Sequence, residues 1–339
     1  MGNRRKIGFD LGNHSLKIAV SKGDKWEYHQ VLLPENLMEE DQITMPHAFS
    51  AFLKKTKKEL GLPKGEAGLV LPGGQVICRL VTMPRMLESQ LLLNLPYEFS
   101  DFIRGEPHQY HCDYAMCRPT GPEPEEGEEA EMTMMAAAVE KRQVQEYVSM
   151  FAAGGFPLKR ILPQEMALIQ LVEAYTKAHP GESEEFCFID LGYLSTRIFV
   201  VQGDRIKTTR RIPVGCRQLD SVVADVLNVD GFLADSYKRS NYQGILEHPR
   251  CVEIYEHIAV EALKLINFYH FTYRQNQLAG VYLLGGGAAI APLRKMLEET
   301  LGLPALPVEG LMGASGHPVD NIGALACAAG LIACEEEEG

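Results

Sequence analysis

Ile7-Gly8-Phe9-Asp10-Leu11-Gly12-Asn13-His14-Ser15-Leu16-Lys17-Ile18 reads as an apolar strand ending in a carboxylate, a tight glycine-containing turn and a second strand. The stretch occurs twice. Shifted by 180 positions, Asp10 falls on Asp190, Leu11 on Leu191, Gly12 on Gly192, Ser15 on Ser195 and Ile18 on Ile198. Val20 meets Val200, Gly23 meets Gly203 and Asp24 meets Asp204, while Lys17 and Lys25 meet Arg197 and Arg205. One D-x-G match means little, because Asp and Gly are what turns require. Agreement over about sixteen positions is an internal repeat.

A doubled hairpin of this kind has a definite chemistry. Glycine lets the backbone fold tightly and approach a ligand, and successive turn amides form an anion-binding concavity. The Ser15 hydroxyl and the Asn13 amide add donors, and Lys17 adds charge. A carboxylate at each strand end suits hydrated Mg²⁺, which takes oxygen ligands and keeps several waters. Two such hairpins facing each other hold a polyphosphate from both sides. A third candidate lies downstream, where the apolar strand Val281-Tyr282-Leu283-Leu284 runs into Gly285-Gly286-Gly287. Three glycines before a helix start let a base or ribose lie against bare backbone; alone they are a weak signal, since glycines punctuate many strand-to-helix turns.

Composition sets the bounds. At 339 residues the chain suggests about two domains, and 46% apolar content supplies an ordinary core. A net charge of −12 argues against nucleic acid as a partner, since phosphate-backbone binding needs a basic surface. No apolar run approaches the roughly 20 residues of a membrane span, and the basic start, Met1 to Lys6, lacks the apolar core of a signal peptide. Eight cysteines without a C-x-x-C pair, several in apolar contexts, fit reduced cytosolic thiols. A cytoplasmic protein is expected. No His/Cys cluster has metal-ligand spacing, and neither G-x-S-x-G nor G-x-x-x-x-G-K-[ST] occurs. Gly285-Gly286-Gly287 is not G-x-G-x-x-G, which disfavours a dinucleotide fold.

Working outward, residues 26–33 continue the first hairpin as a third antiparallel strand carrying the single tryptophan. Residues 47–60 form a helix with four lysines outward, stopped by Gly61. Alternating segments over 67–138 read as a small α+β insertion: strands at 69–71 and 76–81 around Pro72-Gly73-Gly74, a helix from Leu87 to about Phe102 that Pro96 ends or kinks near Leu95, and strands at 110–116 and 132–139. The intervening acidic run, with six glutamates between 123 and 131, is a solvated loop. Residues 141–153 are amphipathic, 158–162 form a short strand, and Gln164 opens the next helix. The second hairpin unit spans 186–212. Gly215 then starts a helix to about 227, whose first amides are placed where an anion can dock. A helical piece at 229–239, a long helix at 252–273, a helix opened by Pro292 and a Gly/Ala-rich helix at 322–333 complete the chain.

This order of motifs resembles the actin-like ATPase superfold, an α/β architecture of two lobes around a nucleotide cleft. Within it the chain is most similar to the PilM family of type IV pilus assembly, and then to FtsA, because Leu71-Pro72-Gly73-Gly74-Gln75-Val76-Ile77 followed by Val81-Thr82-Met83-Pro84 and a helix resembles the extra subdomain of that group. Residues 147–156 and 161–167, and Ile212-Pro213-Val214-Gly215 before a helix, are similar as well. The resemblance implies a first lobe at 1–66 and 141–182 (the latter with a hinge helix), an inserted subdomain at 67–140, a second lobe at 183–321 with a helical subdomain near 229–270, and a second hinge helix with an acidic tail at 322–339.

It also implies ATP and Mg²⁺ as cofactors. Asp10 would position the metal while Gly12, Asn13, His14 and Ser15 cradle phosphate. Asp190 would orient water or the metal, with Gly192, Tyr193, Ser195 and Thr196 beside the phosphates. Glu165 matches the family's catalytic acid, Asp235 and Lys238 a pair on ribose and base, and Gly285, Gly286 and Gly287 the adenosine loop. Tyr193 replaces a small residue, His14 is bulkier than the usual hydroxyl residue, and Asp235 is one methylene shorter than the expected Glu. The implied partner is the short N-terminal cytoplasmic segment of a PilN-like inner-membrane protein, held near the insertion; it would recruit the chain to the inner face of the membrane, where self-association is open. The implied function is an ATP-binding assembly scaffold with slow or no turnover. Its alternatives are a sugar-type kinase on the same superfold and a nucleotide-free scaffold.

Overall fold

The computed structural model describes residues 5–22, 25–119, 131–273, 278–312, 319 and 321–333. Gly23 and Asp24 of the repeat, residues 120–130 of the acidic run and the terminal glutamates lie outside them.

The chain starts with β1 (Lys6–Leu11), β2 (Ser15–Lys22) and β3 (Lys25–Leu32), an antiparallel meander. A miniature hairpin follows, β4 (Met38–Glu39) and β5 (Gln42–Ile43), before α1 (Pro46–Glu59). Helix α1 turns Phe49 and Leu53 inward, with lysines in its last turn. Strand β6 (Glu66–Val70) is buried along nearly its whole length, as a central parallel strand must be. It pairs with β1, so it belongs to the first sheet and not to the insertion that the sequence reading began at residue 67.

The insertion's own sheet begins later, with β7 (Val76–Pro84). Helix α2 (Glu88–Asn94) comes next and gives way at Leu95 to a 3₁₀ turn with Pro96 in its first positions. Strands β8 (Tyr110–Met116) and β9 (Glu131–Glu140) complete a sheet of order β7-β9-β8, with Leu91, Leu95 and Phe99 packed on Met134 and Ala136. Helix α3 (Lys141–Ala153) and β10 (Leu158–Leu162) return to the first sheet, whose order is β10-β6-β1-β2-β3. Phe9 anchors its core, edge-on to Phe151 at 5.2 Å and to Phe156 at 4.9 Å. Each such pair adds about 0.5–1.5 kcal/mol beyond its area.

Helix α4 (Gln164–Ala178) crosses to the second half. There β11 (Glu185–Leu191), β12 (Thr196–Gln202) and β13 (Arg205–Ile212) repeat the meander. Helices α5 (Cys216–Leu227), α6 (Gly231–Arg239) and α7 (Pro249–Thr272) follow, then β14 (Val281–Leu284), α8 (Ala291–Leu301), β15 (Ala305–Leu306) and α9 (Ala326–Ala333). The second sheet has the order β13-β12-β11-β14-β15, which matches the first strand for strand.

The register matches too. Asp10 opposes Lys17 and Leu11 opposes Leu16; Asp190 opposes Arg197 and Leu191 opposes Thr196. Asp10 lies beside Val70 of the parallel strand, and Asp190 beside Leu284. The 180-residue offset is therefore preserved in space.

Helices α4 and α9 pack against each other between the sheets, and side chains of both sheets, Val70 and Phe188 among them, join their core. The contact depends on Gly330: a Cβ there would stand 2.0 Å from the Ala167 carbonyl oxygen. Small residues let the two helix backbones come this close, and the segment's first turn, Ile322–Leu325, is 3₁₀.

Candidate functional site

The two hairpin turns converge on a cleft of about 640 Å³. Asp10, Gly12, Asn13, His14, Ser15 and Lys17 line it from the first lobe. Asp190, Gly192, Tyr193, Ser195, Asp235, Lys238, Gly285 and Gly286 line it from the second. Three nominated residues are not among the lining side chains. Thr196 is fully buried and its hydroxyl donates to the Val214 carbonyl at 2.9 Å. Gly287 is buried against Leu191 and Cys216. Glu165 is buried behind Arg197.

Each Asp is the last residue but one of its strand, just before the backbone turns away, and its carboxylate lines the cleft. Lys17 Nζ lies 3.2 Å from Asp10 Oδ2. Burial pushes the Asp10 carboxyl above its usual range; Lys17 pulls it down and the charge of Asp190 pushes it up again. Burial also opposes the Lys17 charge, but Asp10 and Asp190 outweigh it and hold the ammonium above its usual range. The Asp10 carboxyl thus feels the charge of Asp190 across the cleft.

At Asp190 the partner is an amide. Gln164 Nε2 donates to Asp190 Oδ2 at 2.6 Å. Arg197, the counterpart of Lys17, turns to α4, donating from Nη1 to Gln164 Oε1 at 2.9 Å and from Nη2 to Glu165 Oε1 at 2.7 Å. Glu165 Oε2 and Arg197 Nε are buried with no hydrogen-bond partner. Sequence reading nominated Glu165 and missed Gln164, the α4 residue that lines the cleft.

The glycine loop lies beside the second turn, at the end of β14. Gly285 has φ of 79°, and a Cβ on it would stand 2.5 Å from Asp190 Oδ1, so only glycine serves there. Asn321 pins the loop by donating to the carbonyls of Gly285 at 3.1 Å and Gly286 at 3.4 Å. On α6, Lys238 pairs with Asp235 at 3.0 Å and with Asp220, while Arg239 Nε donates to Asp235 Oδ2 at 2.8 Å. Burial works to raise the Asp235 carboxyl, but His14, Lys238 and Arg239 together hold it well below the usual carboxylate range. His14 and Tyr193 stack across the cleft with centroids 4.9 Å apart.

One expected anion site is already used. The amides of Cys216 and Arg217, at the start of α5, bind the carbonyls of Gly192 at 3.0 Å and Tyr193 at 2.9 Å. These amides fasten the helix to the second turn and are not free for a ligand. The structure adds two lining residues that carried no sequence signal, Asp41 and Arg211, and brings to the cleft the Pro72-Gly73-Gly74 rim after β6, which the sequence marked only as a turn. That rim occupies in the first lobe the place the glycine loop occupies in the second.

Two sheets of one strand order, each offering a D-x-G turn to a shared cleft, define an actin-like ATPase fold. The family model described as type IV pilus assembly protein PilM matches residues 8–315, and the chain belongs to that family. Among solved structures it is similar to a PilM-PilN type IV pilus biogenesis complex chain, with TM-score 0.80 and 22% identity over 97% of this chain and 98% of that one. It also resembles ethanolamine utilization protein EutJ from Carboxydothermus hydrogenoformans, with TM-score 0.59 and 14% identity over 98% and 90% of the two chains. At these identities the likenesses bear on the fold. Among the described residues no helix is long and apolar enough to cross a membrane.

Proposed function

We propose that the chain is an ATP-binding scaffold of type IV pilus assembly that works in the cytoplasm and is drawn to the inner face of the membrane by the N-terminal segment of a PilN-like protein. The observation that carries this reading is the facing pair of turns, with Asp10 and Asp190 lining one cleft. Family membership and the backbone likeness to a chain from a PilM-PilN complex support the partner.

The residues present fit Mg-ATP. Five cations, Lys17, Arg197, Arg211, Lys238 and Arg239, line the cleft of a chain whose net charge is −12, each beside a carboxylate with which a phosphate would compete. Bare backbone at Gly286 faces open space. Among the described residues no group of three metal-ligating side chains exists. Mg²⁺ suits that, because it is held by one or two carboxylates together with substrate phosphates. Asp10 and Asp190 would hold the ion, which supplies charge neutralisation between phosphates.

In this reading Asn13 and Ser195 offer donors from opposite turns, Lys17 adds a cation beside Gly12, and the Asp235–Lys238 pair faces the nucleoside. Gln164 fixes the Asp190 carboxylate. Glu165 is committed to Arg197 and serves to position it, which leaves no free acid at the head of α4 and accords with slow turnover. The test is calorimetric titration of Mg-ATP, in which Asp10→Ala weakens binding about tenfold or more. Equal affinity for the variant and the natural protein would overturn the assignment. Capture of a synthetic PilN N-terminal peptide, with and without Mg-ATP, tests the partner.

A further inference from the structure

The miniature hairpin β4–β5 reaches the cleft mouth with its tip residues Glu40 and Asp41, both at positive φ of 45° and 68°. Its placement there is fixed from two sides. The Asp41 amide donates to Asn13 Oδ1 at 2.8 Å, and Asn13 Nδ2 donates to Asp41 Oδ1 at 2.5 Å. Gln75 of the insertion donates to the Asp41 carbonyl. The other carboxylate oxygen, Asp41 Oδ2, faces Arg211 Nη2 of β13 at 3.5 Å, and Arg211 Nε donates to Ser195 Oγ at 3.2 Å. A chain of polar contacts, Asn13 to Asp41 to Arg211 to Ser195, therefore closes the mouth from one D-x-G turn to the other.

We propose, resting on the nucleotide-binding reading, that Arg211 reads the terminal phosphate of a bound nucleoside triphosphate and that Asp41 holds its place until then. A guanidinium binds carboxylate and phosphate with the same fork of donors, and the more highly charged phosphate is the stronger acceptor. Asp41 and a terminal phosphate compete for Arg211 at the point where both turns offer donors. A nucleoside diphosphate leaves the Asp41–Arg211 pair intact. A triphosphate breaks it and releases the first-lobe hairpin from β13. Arg211 is thereby the residue that separates tri- from diphosphate, and Asp41 sets the threshold, since discrimination is a difference between two affinities.

Both side chains are partly open to solvent, 15% for Asp41 and 49% for Arg211, so an isosteric change at Asp41 and a shortening of the half-exposed Arg211 leave the fold in place. Mg-ATP and Mg-ADP are titrated into the full chain and into Arg211→Gln and Asp41→Asn. The natural protein should prefer ATP. Arg211→Gln should lose about tenfold in ATP affinity with ADP affinity held within about twofold. Asp41→Asn should tighten ATP several-fold and leave ADP unchanged. An ATP-to-ADP ratio identical in all three proteins, or weaker binding of both nucleotides by Asp41→Asn, overturns the proposal while leaving ATP binding itself standing. Binding of neither nucleotide by the natural protein removes the nucleotide reading and this inference together.

Discussion

The two hairpins share one backbone and two different electrostatic solutions. In the first, Lys17 folds back on Asp10 within its own hairpin. In the second, Arg197 leaves Asp190 to an amide and takes its ion pair from Glu165 on α4. Length and shape separate them. The Lys ammonium is a compact point charge that settles on the nearest carboxylate, whereas the Arg fork satisfies two acceptors side by side, here Gln164 Oε1 and Glu165 Oε1. A duplicated strand register thus does not duplicate chemistry. One half carries a self-neutralised acid at the cleft; the other carries an acid positioned through the helix between the lobes.

The comparison breaks hardest at Glu165→Ala. Removing this acid, whose side chain is 4% exposed, strands a guanidinium that is 13% exposed. Losing one partner of a buried pair costs about 3–5 kcal/mol, read as a lower urea midpoint with unchanged slope. Glu165→Gln, which keeps one acceptor for Arg197, should recover part of the loss.

Lys17→Met is the matching test in the first hairpin and should cost less, about 1–3 kcal/mol at neutral pH. Asp10 escapes part of the penalty because its carboxyl, already pushed up by burial, takes a proton more readily than in the unfolded chain. A group whose folded pKa is raised contributes stability at low pH and loses it as pH rises through that folded value. Without Lys17 the folded value climbs further. The deficit of Lys17→Met should therefore grow from near pH 4 toward neutrality and shrink on acidification, measured as paired urea midpoints across that range. A deficit constant with pH would show that Lys17 supports the turn by packing alone.

The smallest effect is expected where the turns touch directly. Tyr193→Ser removes the stack on His14, worth about 0.5–1.5 kcal/mol, and a thermal melt should move by only a few degrees. Since the stack joins the lobes, the same variant should alter the ATP titration more than the melt.

Much of the fold was open to inspection in the chain. Strand positions, the antiparallel meanders, the break at Pro96 and the close-packing α9 follow from local rules: period-two burial, proline's missing donor, and small residues where backbones meet. The repeat made the two-lobed plan legible, since eight identities and two Lys/Arg pairs spread over sixteen positions imply one backbone used twice. Both turns of the cleft were legible for the same reason, Asp10, Gly12, Asp190 and Gly192 being marked by the motif itself.

Side-chain choice was not. Whether Glu165 or Gln164 faces the cleft depends on the rotation of α4 between two sheets, and adjacent helix residues point roughly 100° apart. Thr196 and the α5 amides look free in the sequence because their acceptors, Val214, Gly192 and Tyr193, become neighbours only when the second turn packs on α5. Asp41 gave no signal, sitting in a hairpin of two-residue strands too short for any period to show. Local chemistry along the chain settled the strands, the turns and their duplication, because hydrogen-bonded backbone answers to near neighbours. Which cation meets which carboxylate was settled only when distant segments were brought together, because a charge takes the partner within reach in space.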